Sequence, residues 1–217
     1  MKINNYSNYI KDEQLNEVMK LFSEDIRSSD IRIYILGKDD DFENISMSKD
    51  LQHKVNKFLE NENAMGIFMY PENEIFIVEE RILLFSDHPV VFYSNIPFML
   101  SHELRHFRQA HFLGKRFNIM LSDYSLDYGE IFKNEEFDKL HWCEKDAYTY
   151  SYQFSEKYKQ EIMQIFELDE YGYFLPFDFD IDYEKEWRKY KRKKMMVSEQ
   201  IIWAVKDLFW EKELLKC

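Results

Sequence analysis

Apolar residues recur at helical spacing over residues 11–27, where Leu15, Val18, Met19, Phe22 and Ile26 share one stripe. The pattern predicts an amphipathic helix with a solvated back. The run Ile31-Arg32-Ile33-Tyr34-Ile35 then alternates and stops at Gly37, which predicts a strand. Ser48 stands where it can cap a second helix carrying Leu51, Val55, Phe58 and Leu59. Two β-rich runs, 66–70 and 75–78, flank Pro71-Glu72-Asn73-Glu74 and predict a hairpin. Residues 96–113 read as one continuous helix, with Pro97 near its front, where a helix tolerates proline, and Gly114 at its stop.

Further along, 114–139 is rich in Tyr, Phe and acidic residues and reads as loop with short helix. A long helix follows from about Cys143 to Phe166, free of Gly and Pro. Residues 176–183 alternate aromatic with Asp, as a strand with one buried face would. The last helix shows Ile201, Val205, Leu208 and Leu215 on one stripe, widened by Ile202 and Phe209, and Trp203 and Trp210 extend it. These elements predict an α+β fold in which a small β-sheet packs on helices. A chain of 217 residues suits a single domain, with a core at about 65–155 and a helical extension at about 185–217.

Composition narrows the function classes. Hydrophobic content of 45% with 18% aromatic residues argues for a folded chain. A net charge of −12 speaks against general electrostatic affinity for nucleic acid or anionic membrane. The short basic run at 189–194 then reads as an intramolecular partner for acidic stretches. The acidic run DDDFEN at 39–44 lacks the Gly and distal Glu of an EF-hand loop and reads as a solvated loop. Cys143 and Cys217 make no disulfide framework, and neither a signal-peptide pattern nor a bilayer-length apolar run is present, so a cytoplasmic location is expected.

The chemistry concentrates in His102-Glu103-Leu104-Arg105-His106, an HExxH pattern on the 96–113 helix. Residues four apart share a helix face, so His102 and His106 can offer two imidazole nitrogens to one cation. Glu103 beside them can take a proton from an activated water and pass it to a leaving group. Leu100, Leu104 and Phe107 point largely elsewhere and would anchor the helix. Catalytic zinc usually takes three protein ligands, and the later helix offers Glu144 and Asp146 as candidates for the third. His141 and Tyr148, one turn before and after Glu144, are candidates to donate a hydrogen bond to a developing oxyanion. His88, before Pro89, reads as a loop residue, and His111 lies off the ligand face.

HELRHFRQ followed by Glu144-Lys145-Asp146-Ala147 on a later helix resembles the gluzincin-type metallopeptidases, including small bacterial and phage-associated ones, whose pattern is HExxH and then ExEA or ExDA. The resemblance covers about residues 65–155. It implies a zincin-like fold, Zn2+ held by His102, His106 and Glu144, Glu103 as general base, and a peptide or protein as substrate. Several such families carry Asp directly after the Ala to support a ligand histidine. This chain has Tyr148 there, which leaves Asp146 for that part. The departure also motivates an alternative, an inactive zincin-like scaffold serving as a protein-interaction module. The order helix, hairpin, active helix resembles the zincin arrangement, in which an edge strand beside the metal helix lets an extended peptide add to the sheet.

Overall fold

The computed structural model describes residues 1–62, 64–86, 88–113 and 142–172. In chain order the elements are β1 (Lys2–Tyr6), α1 (Asp12–Lys20), α2 (Glu24–Arg27), β2 (Arg32–Leu36), a 3-10 turn (Asp39–Asn44), α3 (Lys49–Leu59), β3 (Gly66–Met69) and β4 (Glu74–Val78). Four helices follow: α4 (Glu79–Leu84), α5 (Pro89–Leu113), α6 (Trp142–Lys157) and α7 (Lys159–Phe166). The strands form one sheet in the order β1-β2-β4-β3. β1, β2 and β4 run parallel, and β3 pairs antiparallel with β4 at the edge. The fold is thus mixed helix and sheet, with a small four-stranded sheet among several helices.

Strand alternation divides the interior into two layers. Ile33, Ile35, Ile75 and Ile77 face the larger core, which they share with Leu15 and Val18 of α1 and Ile96, Leu100, Leu104 and Phe107 of α5. Tyr34, Leu36, Phe76 and Val78 face the other way and meet Phe42 with Leu51, Val55 and Phe58 of α3. The central strands β2 and β4 are therefore buried on both faces, which is why they read as near-continuous apolar runs. Leu104, fully buried between the HExxH histidines in sequence, fixes the rotation of α5 about its axis. Burial of one such side chain contributes about 1.5–3 kcal/mol.

The hairpin and the Ser48 cap appear as expected, the cap hydroxyl accepting from the Leu51 N–H at 3.2 Å. Elsewhere the structure corrects the pattern. The helix expected over 11–27 breaks into α1 and α2, because Ser23 takes an extended conformation and starts a new turn. The acidic run 39–44 is a 3-10 turn that buries Phe42, not a solvated loop. The helix that carries HExxH begins at Pro89, so Pro97 lies inside it. Buried Phe92 and Ile96 hold that extra length against the core. The helix expected from 143 to 166 divides at Tyr158 into α6 and α7. Residues 114–139, the strand expected at 176–183, the basic run at 189–194 and the final helix lie outside the described residues. No helix among the described residues is long and apolar enough to cross a membrane.

Candidate metal centre

The centre forms where α6 packs along α5. Helical spacing puts His102 and His106 on one side of α5, while Leu100, Leu104 and Phe107 take the core side. The first turn of α6 brings Glu144 against both histidines. Its carboxylate reaches His102 Nε2 at 3.2 Å through one oxygen and His106 Nε2 at 3.3 Å through the other. The two Nε2 atoms are 3.0 Å apart. All three side chains are buried.

Three groups that carry lone pairs thus converge, and their mutual repulsion is relieved only by protons or by a cation. A tetrahedral centre with bonds of about 2.0–2.1 Å has edges of about 3.3 Å. The two Nε2 atoms at 3.0 Å, and either Glu144 oxygen at 3.2 or 3.3 Å from its nearer histidine, suit corners of such a centre, and one ligand atom from each residue lies within 4.8 Å of the others. A buried group of two imidazoles and one carboxylate can therefore hold a metal ion. Two nitrogens and one oxygen suit zinc, and other transition metals accept the same set.

Electrostatics follow the same geometry. Burial alone would lower the His106 pKa, but the Glu144 charge and hydrogen bond, the Glu103 charge and the Gln109 acceptor outweigh it and raise the group to about 9. Burial alone would raise Glu144, but His106 and His102 hold it well below the usual carboxylate range. Without a metal the His106–Glu144 pair is therefore an imidazolium facing a carboxylate. Glu103 is different. Burial raises its pKa, the two histidines partly offset the rise, and Glu144 adds to it. Glu103 is thus the carboxylate of the centre whose proton is held nearer to neutral pH.

Glu103 is also tied to the sheet, accepting a hydrogen bond from the Phe68 backbone N–H on β3. The bond from Val78 N–H to Met65 C=O makes 65 and 78 a hydrogen-bonded pair, so Gly66 and Phe68 turn their backbone groups away from β4 toward the edge that no strand among the described residues pairs. The edge strand therefore borders the HExxH helix through its outward amides. Gly66 itself leaves room for Glu103. A Cβ there would sit 3.1 Å from Glu103 Oε1 and 3.3 Å from its Cγ.

A second layer surrounds the histidines. His106 Nδ1 is 2.8 Å from Gln109 Oε1, and Gln109 Nε2 donates to Asp146 Oδ2 at 2.8 Å. Arg105 grips the same carboxylate through Nε at 2.6 Å and Nη2 at 2.8 Å. His102 packs its ring against Tyr148, centroid to centroid 4.3 Å, and its buried Nδ1 has no hydrogen-bond partner among the described residues.

Of the sequence candidates, His102, Glu103, His106 and Glu144 come together, and Glu144 rather than Asp146 faces the histidines. Asp146 instead joins Arg105 and Gln109 in the second layer. Burial pushes the Tyr148 phenol well above the ordinary tyrosine range, helped by the charges of Glu144 and Glu103. His141 lies outside the described residues. His88 is exposed and accepts from the Val90 N–H at the start of α5, and His111 is exposed beside Phe107. Sequence reasoning missed Gln109, Arg105, Gly66 and the Phe68 amide. Gln109 carried a usable signal, because it lies three residues after His106 on the same helix face. Neither a protein-family profile, nor a curated protein, nor a solved structure matches the chain.

Proposed function

We propose that the chain is a zinc-dependent metallopeptidase of the gluzincin type with a zincin-like fold. The observation that carries this reading is the buried convergence of His102, His106 and Glu144 with Glu103 alongside. Those three residues would hold the ion. Bound there, zinc would supply Lewis acidity and lower the pKa of water from about 15.7 toward about 7. Glu103 takes the proton from the attacking water and hands it to the leaving amine, a role served by a carboxylate with a raised pKa. Tyr148 keeps its proton at neutral pH and so has a hydrogen to donate to developing negative charge.

Substrate would lie along the outer edge of β3, pairing its backbone with the outward groups of Gly66. This binding mode holds any extended peptide without reading much of its sequence. The order α3, β3–β4 hairpin, α5 agrees with the zincin arrangement that the motifs imply.

Elemental analysis of the purified protein, paired with turnover of the Glu103→Gln variant, tests the reading. The expected result is about one zinc per chain in both proteins, with turnover of the variant lower by roughly 10²–10⁴-fold. Undiminished cleavage by Glu103→Gln would remove the proposed base. Absence of bound metal after zinc is supplied and the excess removed would leave the interaction module as the better account.

A further inference from the structure

The two histidines of the centre are not supported alike. His102 Nδ1 has no hydrogen-bond partner among the described residues, whereas His106 Nδ1 begins a chain of bonds that ends on Arg105. We propose that Gln109 is a positioning residue that, with Asp146 and Arg105, fixes His106 as the pre-set ligand of the centre. The proposal rests on the metal-site reading above and adds a part for three residues that reading does not use.

The argument is one of hydrogen-bond polarity. A guanidinium can only donate, so Arg105 makes Asp146 the acceptor of two bonds, at 2.6 and 2.8 Å. An ionised carboxylate can only accept, so the Gln109 group that faces Asp146 at 2.8 Å is its NH2. The amide is thereby oriented with its oxygen toward His106. An amide oxygen can only accept, so His106 Nδ1 is the donor at 2.8 Å. With its proton committed to Nδ1, the neutral imidazole presents its lone pair at Nε2, the atom that faces Glu144 and His102. Each link has one allowed direction. The tautomer and ring orientation of His106 therefore follow from a charge on its own helix, and Asp146 acts on the ligand through Gln109 without touching it. Support of this kind typically affects metal affinity by about 10–100-fold.

Gln109 is buried, so its replacement should conserve volume. Gln109→Met does this, and it orphans no charge because Asp146 keeps both Arg105 bonds. Two readouts are used on protein with native circular dichroism. The first is the Nδ1 proton of His106 in nitrogen-edited spectra of the metal-free protein, which does not depend on the metal reading. The second is zinc affinity, measured by competition with a chromophoric chelator. In the wild type the Nδ1 proton is expected to exchange slowly with solvent. Gln109→Met should lose that protection and weaken zinc by about 10–100-fold.

The discriminating arm removes the anchor and keeps Gln109. Arg105→Met combined with Asp146→Leu deletes the charged pair together, so no charge is orphaned and the Gln109 amide can turn either face to His106. This double variant should lose Nδ1 protection and zinc affinity although Gln109 is intact. An unchanged Nδ1 proton in Gln109→Met overturns the proposal, and so does a double variant that matches the wild type. If the wild type binds no zinc, the functional reading fails, yet the spectra still decide whether Gln109 orients His106.

Discussion

Two buried polar centres flank the sheet, one beside α3 and one between α5 and α6, and they are built on opposite plans. Arg81, 3% exposed, donates through Nε and Nη2 to Asp39 at 2.9 Å each and through Nη1 to the carbonyls of Asn61 and Ala64 at 2.7 and 2.8 Å. A longer bond reaches the Leu59 carbonyl, and the Phe58 ring lies 4.7 Å away. Five N–H groups meet five acceptor contacts, so the centre is closed by the chain itself. The His102–His106–Glu144 group reverses this. Its three side chains face one another with lone pairs, and only protons or a cation complete them. Burial of polar groups alone does not distinguish a fold clamp from a group that can hold a metal ion, whereas the balance of donors and acceptors does.

The largest expected effect is on the closed centre. Arg81→Met should leave the Ala64 carbonyl without its buried donor, while the Asn61 carbonyl keeps the Ala64 N–H, a loss of about 1–3 kcal/mol of stability. Asp39 is partly exposed and can rehydrate, so it adds little. Chemical denaturation should show the loss, while the folded variant keeps its metal stoichiometry. Glu144→Gln should do the converse. Metal affinity should fall by more than about 100-fold, as chelator competition would measure, because the ligand charge is gone. The metal-free variant should also lose the stability of the His106–Glu144 ion pair, but that loss should shrink as pH rises through about 9, whereas the loss in Arg81→Met should not. Losses in the two variants with the same pH dependence would erase the contrast.

A smaller effect separates the centres by pH. The His106 pKa is about 9 when folded against about 6.5 unfolded, so its contribution is complete below about pH 6.5 and is lost as pH rises through 9. Glu144 is depressed, so its contribution is present above about pH 4.5 and is lost on further acidification. Glu103, raised by burial, adds a further loss of stability as pH climbs past its ordinary value. Metal-free protein should therefore be most stable on the acid side of neutrality. Zinc competes with the His106 proton, so its stabilising effect should grow as pH rises, and thermal melts across pH with and without zinc would show the two slopes opposed.

The sequence made the candidate metal centre more legible than the clamp for a physical reason. His102, Glu103 and His106 lie within one helical turn, so a 3.6-residue period alone places them together, and the HELRHFRQ and ExDA motifs supplied Glu144. Arg81 is completed by Asp39, Asn61 and Ala64, which no local period connects. β1 was missed because KINNY is largely polar and becomes a strand only by parallel pairing with β2. Pro97 was taken for a helix start because proline suits that position, but Pro89 offers the same cue, and the burial of Phe92 and Ile96 decides between them. Gln109 needed a partner on α6 before its place on the ligand face acquired meaning.

The finest contrast concerns Glu103, whose position depends on what β3 leaves out. Gly66 has no Cβ, and one built there would approach Glu103 Oε1 and Cγ at 3.1 and 3.3 Å, closer than ordinary van der Waals contact. Phe76 C=O stands 3.4 Å away on another side, so the new methyl cannot simply retreat toward β4. Glu103 would have to shift by a few tenths of an ångström and stretch its bond from the Phe68 N–H. His102, His106 and Glu144 are held by α5 and α6 and do not depend on this strand. Gly66→Ala should thus lower turnover by about tenfold through misplacement of the base, with zinc affinity and thermal stability nearly unchanged. Turnover that stays at the wild-type level would show that β3 does not position Glu103, and a matching fall in zinc affinity would show that strand and metal centre are one unit.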